Sequence, residues 1–210
     1  IELLLSRLLK SSEINQIIVA TSDDQNNLPL IEHIQSLNYS CEIGSEDDVL
    51  SRYFHAAAKH QVDIIVRITG DCPCVDPEII DKAVLFYKAQ NVDYISNSNP
   101  PSYPDGLDVE VFSFSALSAA YKKATSSFDR EHVTPFIRNN KDFQQSTFHN
   151  DEDFSNMRWT LDEIEDFEVV QNIFQYFQPD IFFHWSKIIK LQQTHPMLFS
   201  ANKKYSRGMI

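Results

Sequence analysis

At 210 residues the chain has the size of one α/β domain, or of one domain with a small appendage, and 42% hydrophobic residues are enough to build a core. Its 18 basic and 30 acidic side chains leave a formal charge of −12. That argues against nucleic acid or an anionic membrane as the main partner, because both reward basic patches. Three cysteines without zinc spacing, no apolar run of membrane-spanning length and no recognisable signal peptide add the expectation of a cytoplasmic protein with reduced thiols.

The chain opens at Ile1, and Leu3, Leu4, Leu5, Leu8 and Leu9 are spaced for a helix, so it is expected to begin inside an element. "QIIVATS" (16–22) reads as a buried strand and "NLPLIEHIQSLN" (27–38) as a helix. A strand at 40–45 and a helix at 45–60 opening on Ser45 follow. "DIIVRI" (63–68) is the next strand, and 76–90 is a helix with Asp76 as its cap and Pro77 at its first position. A strand at 92–98 leads into a Pro-rich loop. Leu107, Val109 and Val111 then alternate with Asp108 and Glu110 as in a strand. Helices are expected at 113–124, 129–140, 163–177 and 185–193, and a strand at 143–149. Residues 1–195 are expected to form the domain and 196–210 a tail or linker, with room for a further domain beyond either terminus. Repeated strand–helix–strand units predict an α/β fold, a parallel sheet wrapped by helices with right-handed crossovers.

Asp71 and Asp162 each follow a strand-like segment and precede a helix with its own acidic cap. Ligands of open α/β sheets bind outside the carboxyl ends of the strands, and two carboxylates converging there can hold Mg²⁺ while phosphates fill its other positions. Asp also caps helices and forms turns, so that reading stays open. Arg67 lies inside an apolar strand, where an unpaired guanidinium is costly, and Arg52 and Arg130 are further forks for phosphate, carboxylate or an internal ion pair. Asp105, Asp108 and Glu110 gather in "YPDGLDVEVF", suited to polyol recognition or to a solvated face beside a turn. His132 could be a base or a sugar contact, although lone histidines are more often structural. With four glycines in all, no phosphate-cradling loop is present.

Taken in order, "GSEDDVLSRY", "VRITGDCPCVDPEIID", "YISNSNPPSYPDGLDVEVF", "REHVTPFI" and "RWTLDEIEDFEVV" resemble the spore coat polysaccharide biosynthesis protein F family of cytidylyltransferase-like proteins, relatives of CMP-KDO synthetase and acylneuraminate cytidylyltransferase. The resemblance implies a nucleotide-diphospho-sugar transferase fold, a three-layer α/β/α sandwich with a mostly parallel sheet. It implies transfer of a nucleotidyl group from a nucleoside triphosphate, CTP by family likeness, to a sugar, with release of pyrophosphate. Asp71 and Asp162 match the family's Mg²⁺ aspartates, and Arg52, Arg67 and Gly70 fall to the nucleotide side. Asp105, Asp108, Glu110, Arg130, Glu131 and His132 fall to the sugar side, and a homodimer is expected. One departure stands out: the family's opening strand and its loop rich in Ala, Arg, Gly and Lys are not in this sequence. A glycosyltransferase of related fold is one alternative; a non-catalytic sugar- or nucleotide-binding module is the other, and it is the one that departure favours.

Overall fold

The computed structural model describes residues 1–208, and every apolar run read as a strand contains or overlaps one. The strands are β1 (Ile18–Ser22), β2 (Ser40–Gly44), β3 (Ile64–Arg67), β4 (Tyr94–Ser96), β5 (Glu110–Ser113) and β6 (Gln145–Thr147). β1 and β2, joined through helix α2 (Leu28–Ser36), pair in parallel as a two-stranded sheet, and the other four form a second sheet in the order β3-β5-β4-β6. Here the expectation of a mostly parallel sheet needs refining. β4 and β6 run parallel, but β5 is antiparallel to both of its neighbours. The reason lies in the connection: residues 97–109 join β4 to β5 without a crossover helix, and a direct return leaves only the antiparallel pairing.

Alternation along these strands sorts their side chains into two cores. Ile95 and Val111 pack with helices α1 (Glu2–Leu8), α4 (Pro77–Ala89), α8 (Ile164–Phe177) and α9 (Trp185–Thr194). Their neighbours Tyr94 and Phe112 point the other way, against α3 (Val49–Lys59), α5 (Phe114–Lys123) and α7 (Pro135–Asn139). Successive strand residues face opposite sides of a sheet, so helices cover both faces and the three layers follow.

Local chemistry sets the ends of the helices. Asp76 caps α4 by accepting from the Glu78 N–H at 2.9 Å, and its other oxygen accepts from the Trp185 N–H at 2.7 Å, which ties two helix starts together. The cap of α3 is Asp48 rather than Ser45, whose hydroxyl instead accepts from the Asp48 N–H. The single helix expected over 129–140 is two, α6 (Ser127–His132) and α7. Val133 takes a left-handed φ of 70° between them, and Pro135 cannot donate the hydrogen bond that would continue the first helix. Arg7, buried within α1, donates to the carbonyls of Val75, Ile181 and Phe183 at 2.7, 2.6 and 3.0 Å and so anchors that helix.

Residues 196–208, expected as a tail or linker, lie against this body, with Phe199 and Asn202 buried; positions 209 and 210 fall outside the described residues. Among the described residues no helix is long and apolar enough to cross a membrane.

Candidate functional site

β1 and β3 are edge strands of different sheets, and an open cleft of about 660 Å³ lies between them. Its apolar walls come from both strands and from Leu4, Leu5 and Leu8 of α1. Arg52, Tyr53, Arg67, Thr69 and Gly70 line it as well, so the residues assigned to the nucleotide side meet on one cleft. Arg67 is held there by Glu110 at 2.6 Å, and the Nε of both Arg52 and Arg67 is buried without a protein partner.

Directly after Gly70, the chain turns at Asp71. The Cys72 N–H returns to the Thr69 carbonyl at 3.3 Å, and the Cys72 thiol donates to the Asp71 carboxylate at 3.3 Å. The segment carrying Asp162 reaches the same turn from the far side, where the Thr160 hydroxyl donates to the Asp71 carbonyl at 3.3 Å. The two carboxylates are neighbours. Partial burial raises the Asp162 carboxyl above its ordinary value, Arg158 opposes that, and the nearby Asp71 pushes it up again.

Arg158 organises this cluster. Its guanidinium donates to Asp166 at 2.9 and 2.7 Å, to Asp162 at 2.7 Å and to Asp105 at 3.1 Å. The backbone pairs too: the Asp105 N–H donates to the Met157 carbonyl and the Trp159 N–H to the Asp105 carbonyl, both at 2.8 Å. Gly106 makes this approach feasible. Its φ is +98°, and a Cβ there would lie 2.7 Å from the Trp159 carbonyl carbon. Asp108 completes the cluster beside Cys72, whose thiol is pushed well above its ordinary value by burial and then by Asp71 and Asp108. Arg207 grips Asp108 at 2.7 and 2.9 Å.

With this geometry established, the comparisons with known proteins decide the family. Residues 1–205 match the family model for cytidylyltransferases.

The chain belongs to the cytidylyltransferase family.

Its relatives include an uncharacterized protein of Methanocaldococcus jannaschii, 38% identical over 96% of this chain and 83% of that protein. The spore coat polysaccharide biosynthesis protein SpsF of Bacillus subtilis is 30% identical over 87% of this chain and 76% of its own length. Among solved structures, a cytidylyltransferase from Leptospira borgpetersenii superposes with a TM-score of 0.88 at 30% identity, over 93% of this chain and 83% of that one. The family resemblance read from the motifs is thereby confirmed, and so are the fold class and the nucleotidyltransferase class.

Within this cytidylyltransferase fold the residues expected on the sugar side divide. Asp105 and Asp108 border the Asp71–Asp162 pair, as described. Glu110 does not reach out to a ligand: it is buried, and Arg67 at 2.6 Å, Tyr94, and Thr134 at 2.7 Å all donate to it. Burial alone would raise its carboxyl, but Arg67 and then the two hydroxyls outweigh it and hold it below the usual carboxylate range. The alternation that grouped Glu110 with Asp108 holds, since Leu107, Val109 and Val111 pack together into one core; the two acids differ because Glu110 is covered by its three donors. Arg130 pairs with Asp48 and donates to the Tyr121 carbonyl at 2.8 Å, fastening α6 to the start of α3. Glu131 is exposed, and His132 packs its ring edge-on to Phe128 at 4.5 Å.

Arg158, Asp166 and Arg207 were not singled out by sequence reasoning. For Arg158 a signal existed: in "MRWTLDEIED" it sits among apolar residues, the same circumstance that drew attention to Arg67. Arg207 offered none, since a cation in a polar tail reads as solvated.

Proposed function

We propose that the protein transfers the cytidylyl group of CTP to a sugar hydroxyl and releases pyrophosphate, with Mg²⁺ held by Asp71 and Asp162. The observation that carries this reading is the closeness of those two carboxylates, with Asp71 directly following Gly70 in the wall of the cleft that Arg52 and Arg67 also line. The donor set fits the ion. Two like-charged carboxylates held together are stabilised by a cation between them, and hard oxygen donors suit Mg²⁺. Among the described residues no group of three or more His, Cys, Asp and Glu is placed to close a metal site, so Asp71 and Asp162 would leave the ion's other positions to phosphates and water. When bound, Mg²⁺ neutralises charge on the phosphates and orients them for in-line displacement.

The chain's own residues supply positioning. Arg67, fixed by Glu110 and lying over the Tyr53 ring at 5.8 Å, places a positive charge at the wall of the cleft, and Arg52 adds a second from α3, both suited to an anionic group. Arg158 holds Asp162 in place through the rigid Asp166 fork, so the second carboxylate does not have to be ordered when the nucleotide arrives. Asp105 and Asp108 present acceptors to the hydroxyls of the sugar.

The test is pyrophosphate release from CTP and Mg²⁺ with a panel of sugars, with mass spectrometry of the product. A cytidine-monophosphate sugar formed only with both substrates supports the reading. Turnover of a preformed sugar nucleotide without pyrophosphate would replace it with glycosyl transfer.

A further inference from the structure

One of the donors that surround Asp166 comes from the far end of the chain. Oδ2 of Asp166 accepts from Arg158 Nη2 at 2.7 Å and from the N–H groups of Asp162 and Glu163 at 3.1 and 3.0 Å. Oδ1 accepts from Arg158 Nε at 2.9 Å and from the Asn202 amide at 2.8 Å. The same amide nitrogen lies 3.2 Å from the Arg158 carbonyl oxygen. Carboxylate and carbonyl oxygens only accept, so the nitrogen end of the Asn202 side chain faces them, and its two hydrogens serve one each. Asn202 is buried, although its segment reads as a polar tail. Phe199, buried three positions earlier, seats it there, and Lys204 and Tyr205 then fasten the segment to Glu165 at 2.7 and 3.2 Å.

We propose that Asn202 is a positioning residue for the divalent cation: through Asp166 and Arg158 it keeps the Asp162 carboxylate aimed beside Asp71. This inference rests on the nucleotidyl-transfer reading given above, from which it takes the cation. The Asp162 side chain is 49% exposed and is anchored by Arg158 Nη2 at 2.7 Å. A half-exposed carboxylate held by one ion pair samples several rotamers unless its partner is itself fixed, and gathering them weakens the hold on an ion. Here the partner is fixed at both ends. Asp166 grips the guanidinium, Asn202 grips the Arg158 backbone, and Asn202 also fills the second position on Oδ1, so the acid itself is held from both sides. The backbone of Asp162 hangs on the other oxygen of that acid. Leucine at 202 fills a similar volume but leaves a buried carbonyl and a buried carboxylate oxygen each one donor short.

Mn²⁺ alone, titrated into the 210-residue chain and followed by water-proton relaxation, reads the ion without turnover. Asn202→Leu is expected to bind Mn²⁺ about tenfold more weakly than wild type, the scale on which residues that orient a metal ligand act. The amides of Asp162 and Glu163 are expected to exchange with deuterium at least about tenfold faster, because the carboxylate they donate to is loosened. Phe199→Leu serves as the control: it loosens the same segment without removing a contact to Asp166. It is expected to lower the unfolding midpoint while both readouts stay near wild type. Unchanged Mn²⁺ affinity or unchanged amide exchange in Asn202→Leu overturns the inference, and so does an equal loss of affinity in Phe199→Leu. Asp71→Asn separates this failure from that of the transfer reading. If Asp71→Asn loses Mn²⁺ and Asn202→Leu does not, only the role of Asn202 falls. If wild type binds no Mn²⁺, or Asp71→Asn binds it as well as wild type does, the metal assignment falls and the inference with it.

Discussion

Arg158 meets Asp166 with two parallel hydrogen bonds, Nε to Oδ1 at 2.9 Å and Nη2 to Oδ2 at 2.7 Å, and the Asp166 side chain has no exposed surface. The backbone N–H groups of Asp162 and Glu163 donate to the same carboxylate at 3.1 and 3.0 Å. One buried acid thus holds the arginine, the start of α8 and the backbone of the proposed metal ligand. Arg158→Ala is expected to cost about 3–5 kcal/mol, because it leaves that acid buried and short of its cation. Arg158→Lys keeps the charge but not the fork, and should fall between the variant and wild type. Urea unfolding with an unchanged m value reads both.

Acid sensitivity follows from the depressed carboxylates. Burial acts to raise Asp166, but Arg158, Asn202 and the two backbone donors overcome it, and Glu110 is held down by Arg67, Tyr94 and Thr134 in the same way. A carboxyl whose folded pKa lies below its unfolded value contributes stability above the unfolded value, about 4 for either side chain. That contribution is lost as the pH falls through the folded value. Stability should therefore hold from pH 7 to about 5 and decline steeply below about 4. Glu110→Gln should be less stable at neutral pH, since Arg67 loses its counter-charge, and its melting temperature should drop less between pH 5 and 3. An acid limb as steep as that of wild type would contradict the assignment.

Gly106 is a structural requirement of the site. Alanine there would carry a Cβ 2.7 and 2.8 Å from backbone atoms of Trp159 and Thr160 at a φ of +98°. The conformation alone costs about 1–3 kcal/mol, and the contact adds to it by pushing 105–108 away from 157–160. Gly106→Ala is expected to lower the unfolding midpoint and to weaken sugar binding together. Weakened stability with unchanged sugar binding would separate this turn from the acceptor side.

Asp71→Asn tests the proposed metal role with little structural change, since Asn keeps the shape and the turn preference. Turnover with CTP and Mg²⁺ is expected to fall at least about 100-fold, the scale on which single electrostatic contacts in such sites act. The melting temperature without ligand should stay close to wild type. Wild-type turnover in this variant would remove Asp71 from the metal site.

Much of this was legible in the sequence. The short apolar runs located most of the strands, Asp76 with Pro77 marked the start of α4 to the residue, and Asp71 and Asp162 stood out because each follows a strand-like run where a turn needs no carboxylate. Those are local signals, written in the spacing of neighbours. The partners of side chains were not legible. Glu110 and Asp108 looked alike, yet one lies under Arg67, Tyr94 and Thr134 and the other meets Arg207, from 99 positions along the chain. The antiparallel course of β5 and the docking of 196–208 are decisions of the same kind. The sequence by itself determined which segments become helices and strands and which turn carries the first aspartate, because these depend on residues a few positions apart. Only the tertiary structure decided which charges neutralise one another, because an ion pair depends on distance in space and on burial, and spacing along the chain carries neither.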